Sequence, residues 1–148
     1  MWITLAATDL SSHLSEAERT GLPVSLPDGS TVASMLGVIL SQVTLMVRAR
    51  VGAYHSNTLG ADGTIPDELK STALTIVRSN LLTRVDMPVS QDRERETSEA
   101  YDTLKAVARG EFAIVAPETV SDSQPAGPSI TVAVYTPRVA SRTSLAGL

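Results

Sequence analysis

Two histidines are the side chains of this sequence best suited to act as general bases or metal ligands. Neither His13 nor His55 has a second histidine or an acidic cluster at metal-ligand spacing, and a lone histidine near a helix end is usually a surface or capping residue. The chain has no cysteine, which excludes thiolate catalysis, disulfides and cysteine-ligated metals. These residues therefore predict no metal, no cofactor and no enzymatic activity.

Three glutamates, Glu94, Glu96 and Glu99, have the residue type needed for a general acid and a general base. They alternate with Arg93 and Arg95 on what should be the polar face of a helix. Mixed charge of this kind is typical of a solvated helix surface. The functional alternative is a surface that faces another subunit, where complementary charge would set the register between the two chains.

Two Asp-Gly pairs, Asp28-Gly29 and Asp62-Gly63, have the beginning of a calcium-binding loop. Neither continues with acidic residues at alternate positions and a closing glutamate, so both are interpreted as turns. The nucleophile elbow, the P-loop, the zinc-protease helix and the dinucleotide-binding glycine motif are also absent from the sequence. We expect a protein that acts through binding and assembly.

The composition of the chain limits the kinds of molecule that it could bind. A chain of 148 residues is long enough for one domain with appendages. Its 12 basic residues are dispersed and its net charge is −4, whereas tight nucleic-acid binding usually needs a concentrated basic surface. The longest apolar run, near Val43 to Val51, is interrupted by charged residues, and the N-terminus lacks the features of a secretory signal. We therefore expect a protein that is made in the cytoplasm and does not use a membrane.

Hydrophobic periodicity predicts a mainly α fold, a small bundle of four to five helices of which one is long. Residues 1–115 should form this helical domain. Thr8 is the predicted cap of a first short helix, and Ser15 with Glu18 should form the capping box of a second. The long helix should extend from about Thr31 to about His55, and the next helix should begin at Pro66.

The last predicted helix begins after the capping residue Ser90 and ends at Gly110. Some apolar residues of the two preceding helices lie outside the main buried face. A second apolar stripe on a helix usually indicates a second contact. We therefore predict an interface with a neighbouring subunit at Val38, Leu45, Leu74 and Leu82.

The chain changes character after Gly110. Residues 116–148 are rich in Pro, Ser and Thr and are interpreted as a C-terminal arm, with a β-strand near 130–136. Ile130, Val132 and Val134 should point to one side of this strand and Tyr135 to the other, and all four are predicted interface residues. The strand either pairs within its own subunit, with Trp2–Leu5 or Phe112–Ile114, or adds to a sheet of another chain.

Five segments, taken in order, carry a resemblance to a known family. They are Ile3–Leu10, Leu14–Glu18, the long helix at Val38–Tyr54, Ile65–Leu69 and Ala100–Gly110. Together they resemble the head-tail connector, or neck adaptor, proteins of tailed bacteriophages, of the Mu-like type. The arm after these segments departs from the relatives that stop soon after their last helix.

The resemblance implies a structural protein of the virion at the head-tail interface, made in the cytoplasm of a bacterial host. It implies a homo-oligomeric ring of twelve copies under the portal protein, which extends the channel for double-stranded DNA without binding it tightly and receives the tail or a tail-completion or terminator protein. The alternatives are a tail terminator or completion protein, or a small helical adaptor that binds nucleic acid or acts in packaging.

Overall fold

The computed structural model describes residues 1–26 and 29–117, and most of this part of the chain is helical. The predicted mainly α fold with one long helix is thereby confirmed. The predicted strand near 130–136 lies outside the described residues, as do Ile130, Val132, Val134 and Tyr135. The helices and strands, in chain order, are β1 (Trp2–Ile3), α1 (Ala7–Leu10), α2 (Glu16–Gly21), α3 (Val32–Gly52), β2 (Ile65–Pro66), α4 (Lys70–Arg84, preceded by a 3₁₀ turn at Asp67–Leu69) and α5 (Gln91–Arg109).

Helices α3, α4 and α5 pack against one another and supply most of the core. Their buried side chains are almost all Leu, Ile and Val, and burying such a side chain contributes about 1.5–3 kcal/mol relative to leaving it in water. The fully buried Leu, Ile and Val side chains of the three helices are Ile39, Val43, Val47, Val51, Leu74, Ile76, Val77, Leu81, Leu82, Leu104 and Val107. The stability of the bundle therefore depends mainly on apolar burial.

Local signals determine where the long helix begins and ends. Thr31 caps α3, since its hydroxyl accepts a hydrogen bond from the Ser34 amide at 3.2 Å. The helix ends at Gly52, three residues before the predicted end at His55. The Asn57 side chain donates to the carbonyl of Val51 at 3.1 Å, and so satisfies one of the carbonyls that a helix end leaves free.

Both predicted boundaries of α5 are confirmed. Ser90 caps its start, and its hydroxyl accepts from the Arg93 amide at 3.4 Å. Gly110 ends the helix in the left-handed conformation, with φ of 76°. A Cβ at this position would also collide with the ring of Tyr54, so glycine is required both by the backbone and by the space available.

The two short helices form a hairpin, residues 6–22, which packs beside α3 and α4. The predicted capping box is confirmed, because the Ser15 amide donates to the Glu18 carboxylate at 2.7 Å and the Glu18 amide donates to the Ser15 hydroxyl at 3.2 Å. The prediction that Thr8 caps α1 is wrong. Ala6 is the cap residue, and its amide is satisfied instead by the Asp9 carboxylate at 3.0 Å.

The first residues of the chain pair with the segment that precedes α4. Trp2 lies opposite Pro66 and Ile3 opposite Ile65 in an antiparallel pair. The indole N–H of Trp2 also donates to the carbonyl of Val115 at 3.1 Å. Trp2 therefore joins both ends of the described chain to β2.

One arginine of α3 holds the loop between α3 and β2. The Arg48 guanidinium donates to the carbonyls of Gly60, Ala61 and Thr64 and to the Asp62 carboxylate, at 2.7–3.3 Å. The predicted turn at Asp62-Gly63 is present, with φ of 75° at Gly63. Arg48, the charged residue that interrupts the apolar run of α3, thus fixes this loop in place.

By length and composition alone, α3 is long and apolar enough to cross a membrane, with a mean hydropathy of 1.6 over its most apolar stretch. In the fold, one third of that stretch is buried against the rest of the subunit. The buried third forms the centre of the bundle, as expected for the core helix of a small helical domain.

Candidate interaction surface and charged cleft

The exposed side of α3 is uncharged along most of the helix. We define the outer face of α3 as Ser34, Val38, Ser41, Leu45 and Ala49, all of which are exposed. Val38 is 50% exposed and Leu45 is 67% exposed, and no charged residue occurs from Val32 to Val47. The structure thus places two of the predicted interface residues together, one above the other on a surface that is free to meet another molecule.

The other two predicted interface residues are not on the surface. Leu74 and Leu82 of α4 are each only 1% exposed, so the prediction that they contact a neighbouring subunit is wrong. They lie inside because α4 is covered on more than one side by α5, α3 and the hairpin. A second apolar stripe on α4 was therefore a signal of deeper burial within the subunit.

Arg78 lies between Leu74 and Leu82 on the same stripe of α4. It is the buried charged residue of the part of the chain that the structure describes. Arg78 is 3% exposed. Its Nη2 donates to the Glu96 carboxylate at 2.6 Å, and its Nη1 donates to the carbonyl of His13 at 3.2 Å. Arg78 therefore connects α4 with α5 and with the hairpin.

A second arginine extends this network. Arg93 of α5 contacts the same Glu96 oxygen that Arg78 uses, at 3.1 Å, and contacts the Glu18 carboxylate of α2 at 3.3 Å. Arg93 thus faces the hairpin and α4, which corrects the prediction that it belongs to a solvated surface. Glu96 pairs with Arg78 and Arg93 while its side chain stays 46% exposed, so it keeps contact with solvent. The outward pair Arg95 and Glu99, 3.9 Å apart and each about 70% exposed, matches that prediction.

The charged groups alter the pKa values of their neighbours. Hydrogen bonds from Arg78 and Arg93 hold the pKa of Glu96 below its ordinary value. The Ala6 amide and Lys70, 3.0 Å away, lower the pKa of Asp9 in the same way. Burial lowers the pKa of His13, and the nearby cations Arg78, Lys70 and Arg93 lower it further.

An open cleft of about 530 Å³ lies over this network, between α4, α5 and the hairpin. Its walls are rich in hydroxyl groups and contain no Phe, Tyr or Trp. The lining residues that matter for its chemistry are Ser71, Thr72, Thr75, Arg78, Arg93 and Glu96. Such a surface suits a small polar ligand better than an apolar one.

The residues that first suggested catalysis are dispersed. His13 lines the cleft, whereas His55 is exposed beside Tyr54 at the end of α3, with ring centroids 4.9 Å apart. Among residues 1–26 and 29–117, no group of three His, Cys, Asp or Glu side chains could hold a metal ion. Of the glutamates Glu94, Glu96 and Glu99, the last two line the cleft, where Glu96 pairs with Arg78 and Arg93 and Glu99 pairs with Arg95.

Sequence reasoning missed the role of Arg78. The signal was its position four residues from both Leu74 and Leu82, because a polar residue in the middle of an apolar stripe is buried with the stripe. The prediction considered only the apolar residues of the stripe, so it did not include Arg78, the charged residue among them.

Comparison of the chain with protein-family models, with curated proteins and with solved structures finds no match.

Proposed function

We propose that this chain is a structural subunit of a bacteriophage neck, a head-tail connector that assembles as a twelve-membered ring under the portal protein and receives the tail. The observation that carries the proposal is the outer face of α3. Two large apolar side chains on an exposed, uncharged helix face are suited to contact with another protein. The occupant we assign to this face is a second copy of the chain.

The net charge of the chain supports the proposed connector function. The chain has a net charge of −4, and a channel that conducts DNA works best when its wall repels phosphate. The alternative of a small helical adaptor that binds nucleic acid receives less support, because α2 is only six residues long and carries Glu16 and Glu18. A helix of this kind offers little to the negatively charged backbone of DNA.

The decisive experiment is assembly of the full chain, alone and mixed with the portal protein of the same phage, followed by negative-stain microscopy and native mass spectrometry. We expect rings with the wild-type chain. The double variant Val38→Glu with Leu45→Glu should remain monomeric, since it places charges in the contact. Val24→Glu is the matched control, because Val24 is apolar and 91% exposed but lies outside α3.

Unchanged helical content and thermal stability of the double variant would show that the fold is intact. Rings formed equally well by the double variant would reject the outer face as the contact. A wild-type chain that binds neither itself nor the portal would reject the connector function.

The predicted arm needs a separate test. A chain that ends after Val115 keeps the hydrogen bond between Trp2 and Val115 and removes the arm. We expect this truncated chain to be folded but defective in forming infectious tailed particles. Full infectivity would exclude a role for the arm in clasping a neighbour.

A further inference from the structure

Arg78, which lines the cleft between α4, α5 and the hairpin, carries a buried hydrogen-bond donor without a partner among the described residues. Two nitrogens of the Arg78 guanidinium are bonded to Glu96 and to His13, but the Nε–H has no partner among the described residues. Leaving a buried donor of a charged group unpaired is unfavourable. An acceptor supplied by a ligand would remove this cost.

Three hydroxyls on the adjacent turns of α4 are also free. Elsewhere in the described helices, hydroxyl side chains commonly donate to the carbonyl four residues earlier, as in Thr83, Thr97 and Thr103. Ser71, Thr72 and Thr75 line the cleft, and none of them has a hydrogen-bond partner within the described chain. They remain available to a molecule in the cleft.

A carboxylate of the protein already occupies the place between the two arginines. Glu96 Oε2 accepts from Arg78 at 2.6 Å and from Arg93 at 3.1 Å, and the Glu96 side chain is 46% exposed. Rotation of this side chain into water would leave two guanidinium groups facing the cleft. Their fork geometry is well matched to phosphate and carboxylate oxygens.

We propose that the cleft binds a small oxyanion, which takes the place of the Glu96 carboxylate between Arg78 and Arg93 and accepts hydrogen bonds from the free hydroxyls of α4. The cleft also contains Glu99 and lies near the ion pairs formed by Glu18 and by Asp9, so its charge is balanced before the ligand arrives. Displacement of Glu96 supplies the positive charge. This inference is independent of the proposed ring.

The test is an NMR titration of the full chain with inorganic phosphate, with acetate and with chloride at constant ionic strength. We expect phosphate to produce saturable shifts in the backbone signals of Ser71 to Arg78 and in the imidazole of His13. The acetate titration tests whether the site accepts carboxylates in addition to phosphate. A response to both anions assigns the site to both classes of oxyanion, and a response to phosphate alone assigns it to phosphate. Chloride should produce none of these shifts.

Three variants should change the phosphate affinity in directions that the proposal specifies. Arg93→Gln should weaken phosphate binding by roughly tenfold, as expected from loss of one charge-assisted hydrogen bond, and Thr75→Val should weaken it by a smaller factor. Glu96→Gln should strengthen binding, because it removes the competing carboxylate. Arg109→Gln and Thr83→Val are matched controls, since both residues lie outside the cleft and should leave the affinity unchanged.

The same titration can overturn the proposal. Shifts of equal size with all three anions, or shifts that persist unchanged in Arg93→Gln and Thr75→Val, would mean that no site exists in this cleft. Weaker phosphate binding by Glu96→Gln, in a variant whose spectrum remains that of the folded chain, would reject the displacement of Glu96.

Discussion

The bundle of α3, α4 and α5 and the hairpin of residues 6–22 are held by different forces. In the bundle, each helix contributes at least three buried side chains. In the hairpin, Leu10 is buried and α2 buries no residue at all. Beyond Leu10 and the partly buried Leu14 and Leu22, the hairpin is attached by polar contacts at distances of 3.0–3.3 Å. These join Asp9 with Lys70, Glu18 with Arg93, and the carbonyl of His13 with Arg78.

This difference determines how each region responds to its surroundings. Apolar burial changes little with salt or with pH near neutrality, whereas partly exposed ion pairs weaken with both. The hairpin should therefore detach under conditions that leave the bundle folded. Hydrogen exchange, which measures the opening of each region separately, is the appropriate measurement.

The largest effect should come from the bundle. Leu104→Ala removes a side chain that is 1% exposed, and the cavity should lower the free energy of unfolding by about 2–5 kcal/mol. Chemical denaturation measures this change. Leu45→Ala is the matched control, because the same substitution at a position that is 67% exposed should cost far less. Equal losses for the two variants would contradict the assigned core.

A smaller effect should come from the charged network. Glu96→Gln leaves Arg78 buried beside a neutral partner and should lower the free energy of unfolding by about 1–2 kcal/mol. Glu99→Gln, whose carboxylate forms only an exposed pair, should have little effect. If Glu99→Gln destabilises the chain as much as Glu96→Gln does, the contrast between the inward and outward sides of α5 is wrong.

Loss of a helix cap should affect the hairpin alone. Ser15→Ala removes one half of the capping box and should cost about 1 kcal/mol locally. We expect faster hydrogen exchange at residues 16–21 and unchanged exchange in the bundle. Ser12→Ala, in the same hairpin but outside the capping box, is the control. A parallel loss of protection in α5 would show that the two regions unfold as one unit.

The smallest effect should be a pH dependence from His13. Its pKa is lower in the folded chain than the ordinary 6.5, so the unfolded chain binds the proton more readily and stability falls as the pH drops below about 6.5. The lowered pKa values of Asp9 and Glu96 add a further loss at more acidic pH. His13→Gln should flatten the dependence between pH 7 and 5, and His55→Gln should not. An unchanged slope in His13→Gln would exclude this origin.

Much of the fold could be predicted because its signals are local. The capping box at Ser15 and Glu18, the cap at Ser90 and the end of α5 at Gly110 each depend on residues a few positions apart. Thr8 was misassigned because α1 begins at Ala7, after a cap residue, Ala6, whose side chain cannot accept a hydrogen bond and so gives no sequence signal. The early end of α3 depends on a loop side chain, Asn57, that turns back onto the helix.

The candidate site was harder to predict because it depends on contacts between distant segments. Val38 and Leu45 could be recognised as exposed, since their helix has one clear buried face. Leu74 and Leu82 could not be separated from an interface until the packing of α5 and of the hairpin around α4 was known. Arg78 and its partners Glu96 and His13 come from three separate elements.

The hydrogen bond between the indole of Trp2 and the carbonyl of Val115 joins positions that are 113 residues apart in sequence. The first residue and the last described ones therefore emerge at one corner of the subunit. A proximity-labelling enzyme fused before Met1 would stand where residues 118–148 leave the described fold. It would label the molecules that bind the subunit at this corner.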